Sequence, residues 1–243
     1  MAQVFLSDID LFYSTVLQKE LNQIKLIDDE FNHAVKVMRK TIDDNIFITN
    51  GNGNIFDTKI KSIEKKHLIC SILKTYQYSN QFNNVTFCLP ILKNKERQEF
   101  ALEKCIELGF TNFIYYSSEK SFKSKLNLDR TNKIALAAMK QSLRSFHPKI
   151  EFIGELSNLG KYESDIIYFD QKGKNDFRKF LKSNFDLSKQ IILVIGSESG
   201  FSETELKYLE NQTSLKLAEN RLRSETAVIY SAILLDSFIR TNS

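Results

Sequence analysis

The chain has 243 residues, of which 42% are hydrophobic and 26% charged, a composition typical of a folded globular protein with one large or two modest domains. No apolar run approaches the ~18 residues of a membrane span, and the N-terminal residues lack the pattern of a secretory signal. We therefore expect a cytoplasmic protein with no membrane partner. The net charge is only +4, but residues 120–149 contain eight Lys and Arg residues against one acidic residue, which favours an anionic partner such as nucleic acid.

Residues 1–76 are predicted to form a small, strand-rich unit. Apolar residues at helical spacing predict one helix over Asp28–Lys40, with acidic residues in its first turn. The sequence Asn50-Gly51-Asn52-Gly53 is a hairpin turn signal between two strand-like segments. Several strands and one helix in this length favour a small β-barrel or sandwich. The predicted strands are Asn45–Thr49, Ile55–Ile63 and Leu68–Tyr76.

The polar residues 77–84 are predicted to be a linker, after which strands and helices alternate to the end of the chain. This alternation favours an α/β domain with a largely parallel sheet over residues 77–243. The predicted strands are Val85–Leu92, Phe113–Tyr116, Asp165–Phe169 and Gln190–Ile195. The predicted helices are Lys95–Leu108, Asp129–Phe146, Asp176–Phe185, one that begins at Ser202 with a capping box to Glu205, and Ser224–Arg240.

Two loops near the C-terminus are the strongest candidates for a ligand site. The first, Gly196–Ser202, follows a buried strand and opens a helix; the second, Leu217–Arg223, directly precedes the last helix. Open α/β sheets bind ligands where a buried strand leads through a loop into a helix, so the two loops suggest one shared pocket. Considered alone, the first loop is equally well explained as a plain connection between a strand and a helix. The second is equally a helix start with Ser224 as its N-cap, although the Arg223 guanidinium suits a phosphate or a polarised carbonyl.

A basic stripe is predicted on the helix that begins at Asp129. At ~100° per residue, its side chains fall within one narrow sector. A charged helix face is often only solvated, but the scarcity of acidic residues favours contact with phosphates. The stripe comprises Arg130, Lys133, Lys140 and Arg144, and Lys120, Lys123 and Lys125 extend it. Lys93 and Arg97 place positive charge at a helix N-terminus, which opposes the helix dipole and suggests a functional reason.

Metal chemistry is not predicted. The three histidines lie far apart without matching carboxylates, and the cysteines have no zinc-site spacing, so the thiols are expected to be buried and reduced. The histidines are His33, His67 and His147, and the cysteines are Cys70, Cys88 and Cys105. The last helix is apolar around nearly its whole circumference, so part of its burial is expected to come from a second subunit.

Taken in order along the chain, these motifs resemble the bacterial 16S rRNA uridine-N3 methyltransferases, members of the trefoil-knotted (SPOUT) class of S-adenosylmethionine-dependent enzymes. The resemblance covers nearly the whole chain. Its motifs are Phe12-Tyr13, His33 to Arg39, Lys93 with Arg97-Gln98-Glu99, Lys104 to Gly109, Ser118 to Ser121, Lys140 to Arg144 with Pro148, and the two C-terminal loops.

The resemblance implies a PUA-like RNA-binding β-barrel over residues 1–76 and an α/β-knot methyltransferase domain over residues 77–243. It also implies a homodimer through the C-terminal helix and 16S rRNA of the small ribosomal subunit as partner, with no metal. Residues expected to hold S-adenosylmethionine are Phe169, Gly196, Glu198, Gly200, Leu217, Leu222, Arg223 and Thr226, with Arg223 also the candidate catalytic group. Residues expected to contact RNA are Arg39, Lys93, Arg97, Lys120, Lys140 and Arg144.

The first loop departs from the family pattern, which usually has Pro at Ser197 and Gly at Ser199. If position 199 requires a positive φ, Ser there costs on the order of 1 kcal/mol. Three alternatives stay open. One is another knotted RNA methyltransferase, acting on ribose 2′-oxygens or on tRNA. The second is a non-catalytic RNA-binding protein, in which Ser197 and Ser199 reflect a decayed donor site, and the third is a purely structural dimer.

Overall fold

A computed structural model of the chain describes residues 6–121 and 125–242. It divides into two compact units. The first unit contains the chain up to Gln81 and also Leu136–His147, whereas the second contains Phe82–Ala135 and the chain from Pro148 onward. The first unit is therefore built from two stretches that are far apart in sequence.

The first unit contains a six-stranded, mixed half-barrel sheet with strand order β1-β4-β5-β6-β3-β2. Only the β1–β4 pair is parallel. Irregular register between β5 and β6, at Asp57/Thr58 and Ile60/Ser62, bends the two longest strands. The strands are β1 (Leu11–Tyr13), β2 (Val16–Gln18), β3 (Gln23–Ile27), β4 (Asn45–Thr49), β5 (Asn54–Ile63) and β6 (His67–Gln77). Their inward residues, including Phe12, Ile24, Leu26, Ile46 and Ile48, form one buried core.

The helix predicted over Asp28–Lys40 is shorter and less regular than expected. It consists of α1 (Asp28–Asn32), followed by a π-helical turn over His33–Val37. Arg39 then takes a left-handed backbone conformation with φ of +54°, which stops the helix. The apolar spacing predicted the first turns correctly but carried no information about this reversal.

The predicted hairpin turn before Asn54 is confirmed, and it packs against the returning stretch of chain. Gly53 N–H donates to the Ser145 carbonyl, and His147 N–H donates to the Gly51 carbonyl, both at 2.9 Å. Gly51 and Gly53 both have positive φ. A Cβ atom at Gly53 would lie only 2.6 Å from the Phe146 ring, so glycine is required for this close approach.

The second unit contains a seven-stranded sheet in which every pair is parallel, as the alternation of strands and helices predicted. Its strand order is β11-β13-β10-β12-β7-β8-β9. The strands are β7 (Val85–Pro90), β8 (Asn112–Tyr116), β9 (Lys149–Phe152), β10 (Asp165–Phe169), β11 (Asn175–Asp176), β12 (Ile191–Val194) and β13 (Thr213–Lys216). The helices are α2 (Lys95–Leu108), α3 (Leu128–Gln141), α4 (Phe177–Ser183), α5 (Glu203–Leu209) and α6 (Ser224–Asn242).

Helix α3 ends at Gln141, so the prediction of a helix as far as Phe146 was wrong. Leu143 has φ of +55°, and Arg144 N–H donates to the Met139 carbonyl, which closes the helix in a left-handed turn. The two-unit division also falls within α3, between Ala135 and Leu136. Arg144 therefore lies beyond the helix whose face it was predicted to share.

Helix α6 is buried along one side only. Val228, Ala232, Leu235 and Ile239 are buried, whereas Ile233 on the opposite side is 47% exposed. The prediction that α6 is buried around nearly its whole circumference is thus not met within one chain. The three cysteines are free and buried, as predicted. Among the described residues, no helix combines the length and hydropathy needed to cross a bilayer.

Candidate functional site

The candidate site lies at the carboxyl edge of the parallel sheet. Because parallel strands end at the same edge, the segments that follow them gather there. The loop after β12 contains Gly196–Gly200, and the loop after β13 contains Leu217–Arg223. Strand β10, which ends at Phe169, lies between β12 and β13 in the sheet. Lys93 follows β7 and Lys120 follows β8, so both also lie beyond this edge.

The two C-terminal loops are joined by hydrogen bonds, as expected for one shared site. Ser224 Oγ donates to the Gly196 carbonyl at 2.7 Å, and Arg221 Nη2 donates to the Glu198 carbonyl at 2.6 Å. Ser224 is the first residue of α6 and binds the other loop, rather than serving as the N-cap that the sequence predicted. The start of α6 is thereby fixed to the loop after β12.

The loop after β12 is a tight turn that serine stabilises. Ser197 Oγ donates to the Gly200 carbonyl at 2.7 Å, and Gly200 N–H donates to the Ser197 carbonyl at 2.8 Å. The positive φ, +75°, falls on Gly200, and Ser199 is not among the residues with positive φ. The backbone strain expected if Ser199 had a positive φ therefore does not arise. Apart from its two chain neighbours, no described residue has a heavy atom within 4 Å of the position that a Cβ would take at Gly200, so the backbone there is open to close approach.

Two buried side chains, Tyr116 and Glu205, form hydrogen bonds to the backbone on either side of this loop. The Tyr116 hydroxyl donates to the Ile195 carbonyl at 2.9 Å, directly before Gly196. Burial raises the pKa of Tyr116 well above its ordinary value, so the phenol stays protonated and keeps donating. The buried Glu205 carboxylate accepts from the backbone N–H of Ser202 and of Glu119, at 2.7 and 3.2 Å. The predicted capping box is thus confirmed, and it also fixes the segment that leads to the exposed Lys120.

A cavity of about 560 Å³ opens beside these loops. Positive side chains dominate its lining, which makes it suitable for an anion. The lining residues are Lys93, Arg97, Glu198, Arg221, Leu222 and Arg223. The fold thus brings together five residues singled out from the sequence, and adds Arg221. Arg97 also forms an ion pair with Glu225, which does not line the cavity: Arg97 Nε lies 3.6 Å from Glu225 Oε1, at the start of α6.

The other predicted donor residues lie around the same sheet edge but do not line this cavity. Phe169 is buried, and its ring packs edge-on against Phe177 with centroids 5.0 Å apart. Leu217 is buried at the start of its loop, whereas Thr226 is exposed in the first turn of α6.

The predicted basic stripe is less positive than its sequence suggests. Arg130 forms a two-pronged ion pair with Glu99, at 2.6 and 2.9 Å, which lowers the pKa of that carboxyl. Lys140 forms a hydrogen-bonded ion pair with Glu30, and both side chains are largely buried. Lys133 stays exposed, and Lys123 lies outside the described residues.

In the first unit, the residues predicted to contact RNA differ in how far their side chains are exposed and in whether they are already engaged in ion pairs. Arg39 is exposed and has a left-handed backbone. Arg144 is half-buried in the turn after α3. Glu30, the partner of Lys140, also accepts a hydrogen bond from Tyr13 N–H at 3.0 Å. Lys140 therefore has a structural role in this unit, through its ion pair with Glu30.

Sequence reasoning missed two residues of the site, Arg221 and Glu225. Arg221 lies two residues before Arg223, so the density of arginine in that loop was an available signal. Glu225 gave no comparable signal, because its ion pair with Arg97 joins two helices that are remote in sequence. Among the described residues, no group of three His, Cys, Asp or Glu side chains is placed to hold a metal ion.

The structure is that of an α/β protein in which two hydrogen-bonded loops lie at the carboxyl edge of a parallel sheet, beside a cavity lined mainly by cationic side chains. A family model for the RNA methyltransferase domain matches residues 79–236, and a model for the RNA methyltransferase PUA domain matches residues 26–73. The chain belongs to the RNA methyltransferase family, which confirms the resemblance at that level.

Similar proteins cover nearly the whole chain. The ribosomal RNA small subunit methyltransferase E of Rickettsia conorii is 26% identical over 215 residues, covering 86% of this chain and 88% of that protein. The protein of the same name from Buchnera aphidicola is 27% identical over 241 residues, covering 90% and 89%. The Neisseria gonorrhoeae ribosomal RNA small subunit methyltransferase E, in a crystal structure with bound S-adenosyl methionine, has the same fold. Its TM-score is 0.79 at 23% identity, over 94% of this chain and 97% of that chain.

Proposed function

We propose that this protein transfers a methyl group from S-adenosylmethionine to N3 of a specific uridine in 16S rRNA of the small ribosomal subunit. The observation that carries the proposal is the pair of hydrogen-bonded loops beside a cavity lined by Lys93, Arg97, Arg221 and Arg223. Relatives named ribosomal RNA small subunit methyltransferase E span nearly the whole chain, and a protein of that name with this fold binds S-adenosyl methionine.

The residues at the sheet edge fit a methyl donor of this kind. The backbone at Gly200 is open to close approach, and Leu222 offers apolar surface in the cavity wall for an adenine ring. The donor-binding residues in this proposal are Phe169, Gly196, Glu198, Gly200, Leu217, Leu222, Arg223 and Thr226. S-adenosylmethionine, when bound, supplies an already electrophilic methyl group, so the protein mainly has to provide position and electrostatic stabilisation.

Arg223 is the proposed catalytic group. N3 of uridine carries a proton, which passes to solvent water, and its loss leaves negative charge that spreads onto the neighbouring carbonyl oxygens. An arginine guanidinium in the cavity wall stabilises that charge without itself changing protonation state. What supports this role is that Arg223 lines the cavity together with Glu198 and Leu222 of the two proposed donor loops and with the cations Lys93 and Arg97.

RNA binding in this proposal uses the rest of the cationic set. Residues 1–76 act as the RNA-binding domain and residues 77–243 as the methyltransferase domain. Arg39, Lys93, Arg97, Lys120, Lys140 and Arg144 contact the RNA backbone. The target uridine has to leave its stack to be reached, which costs a few kcal/mol, and backbone contacts offset that cost.

The proposed active form is a homodimer in the bacterial cytoplasm. The side of α6 opposite its buried stripe carries Ile233, which is 47% exposed, between the half-buried Ile229, Tyr230 and Leu234. Such an apolar helix face is suited to packing against a second copy of the same helix.

The test is a methyl-transfer assay with labelled S-adenosylmethionine and three substrates: small ribosomal subunits lacking the modification, large ribosomal subunits, and tRNA. The proposal predicts label only in 16S rRNA of the small subunits. Label in tRNA would instead favour the tRNA-modifying alternative. Absence of label from every substrate, together with absence of donor binding by calorimetry, would favour a non-catalytic RNA-binding protein.

A further inference from the structure

Arg97 occupies an electrostatically unfavourable place. It lies in the first turn of α2, where the helix dipole disfavours positive charge, and its backbone N–H donates to the Asn94 cap at 3.0 Å. It shares the cavity wall with three further cations and with only one acidic residue, Glu198. Something other than helix stability therefore has to keep the guanidinium there.

Glu225 is the residue that does so. Its carboxylate lies in the first turn of α6, is only 13% exposed, and places Oε1 3.6 Å from Arg97 Nε. Oε2 is buried and has no hydrogen-bond partner among the described residues. A buried carboxylate oxygen without a partner is costly, so this carboxylate is not simply a surface ion pair. Glu225 does not line the cavity itself.

We propose that Glu225 is a positioning residue for the RNA substrate. It holds Arg97 by the Nε side, so that the terminal N–H groups of the guanidinium face a backbone phosphate next to the target nucleotide. A planar guanidinium fixed on one side presents a fork that matches two phosphate oxygens. This inference rests on the proposed function, because it takes the cavity to be the RNA side of the site.

Glu225→Gln tests this proposal, because a net-charge effect and a positioning role predict changes in RNA binding of opposite sign. Removing a carboxylate beside an RNA site strengthens RNA binding if only net charge matters. The positioning role predicts the opposite: KM for small ribosomal subunits rises about tenfold, while kcat and the donor Kd from calorimetry change less than about twofold. Glu225→Asp, which keeps the charge, is expected to restore part of the loss. Thermal unfolding of each variant establishes that it is folded.

The matched experiment is the double-mutant cycle with Arg97→Met. In that background, Glu225→Gln is expected to add less than about a twofold effect, because its only target is gone. A full tenfold effect there, tighter RNA binding by the single variant, or a shifted donor Kd would overturn the proposal. If the wild-type protein transfers no methyl group, the proposed function fails. The same cycle, measured as affinity for a 16S rRNA fragment, still decides whether Glu225 acts through Arg97.

Discussion

Gly200 has a backbone conformation that other residues adopt only at a cost. Its φ is +75°, and its carbonyl and N–H both bond to Ser197 across the turn. Space is not the constraint, since no described residue other than its two chain neighbours has a heavy atom within 4 Å of a Cβ at this position. Glycine is needed here for its backbone freedom and for access to the main chain.

Gly200→Ala is therefore expected to lower the free energy of unfolding by about 1 kcal/mol. It should also weaken S-adenosylmethionine binding, because the new methyl group projects into the open space beside the loop. Urea unfolding and calorimetry measure the two effects separately. Ser199→Ala is the control, since Ser199 does not have a positive φ, and it should leave both quantities nearly unchanged. Equal effects of the two substitutions would contradict this reading of the loop.

The sequence predicted the positions of the two loops because their signals are local. For the first loop, an apolar strand, a short Gly- and Ser-containing segment and a helix start occur together within a dozen residues, and the second loop directly precedes the long apolar α6. The ion pairs of Arg97 with Glu225 and of Lys140 with Glu30 were not predictable in this way. The second joins residues 110 positions apart, and no spacing rule connects such residues before the fold is known.

Secondary-structure elements were predicted unevenly for a similar reason. The long helix α2 and the apolar strands β10 and β12 agree with their predictions. The strands β9, β11 and β13 have two to four residues each and, unlike the equally short β12, contain no continuous apolar run that would predict them. The early end of α3 depends on the left-handed Leu143, a conformation that leucine rarely adopts and that no local signal announced.

The turn before β5 gives a stability prediction for the first unit. Gly53→Ala forces a Cβ to within 2.6 Å of the Phe146 ring and 2.8 Å of the Tyr78 carbonyl, at a φ of +87°. The expected loss is about 1–3 kcal/mol of unfolding free energy, measured by urea or thermal unfolding. Gly160→Ala is the matched control, because its nearest neighbour is 3.7 Å away and its φ is not positive. Similar losses in the two variants would show that the packing around Gly53 is not what matters.

Charge reversal along the basic stripe separates RNA contacts from structural residues. Reversing both Lys140 and Arg144 to Glu is expected to weaken RNA binding while leaving donor binding intact. Lys140→Glu alone also places a second carboxylate beside Glu30, so it should cost on the order of 2 kcal/mol of stability. RNA-binding titrations, donor calorimetry and urea unfolding provide the three measurements.

Lys133→Glu is the control for that pair, because Lys133 is exposed on the same helix. It should change the unfolding free energy by no more than about 0.5 kcal/mol. Equal loss of RNA and donor binding in the double reversal would refute the division of labour between the two units. A Lys140→Glu variant as stable as the wild type would show that its ion pair with Glu30 contributes little.

The exposed side of α6 gives the prediction for the assembled protein. If a second copy covers it, Ile233→Glu introduces a charge into an apolar interface and should convert a dimer to a monomer. Leu206→Glu is the control, since Leu206 is an exposed aliphatic residue on α5, 37% exposed. Sedimentation equilibrium at several concentrations measures the mass. A monomeric wild-type protein, or dissociation by Leu206→Glu alone, would contradict a dimer through α6.

If the joined loops and the cationic cavity direct a methyl group to N3 of uridine, the modified nucleoside has to be 3-methyluridine. Labelled 16S rRNA from methylated small subunits is digested to nucleosides, which are separated by chromatography. All of the label is expected to elute as 3-methyluridine, and Arg223→Met is expected to abolish most of it. Label in a ribose-methylated nucleoside, or in a base other than uracil, would contradict the assigned chemistry even if the donor binds between the loops.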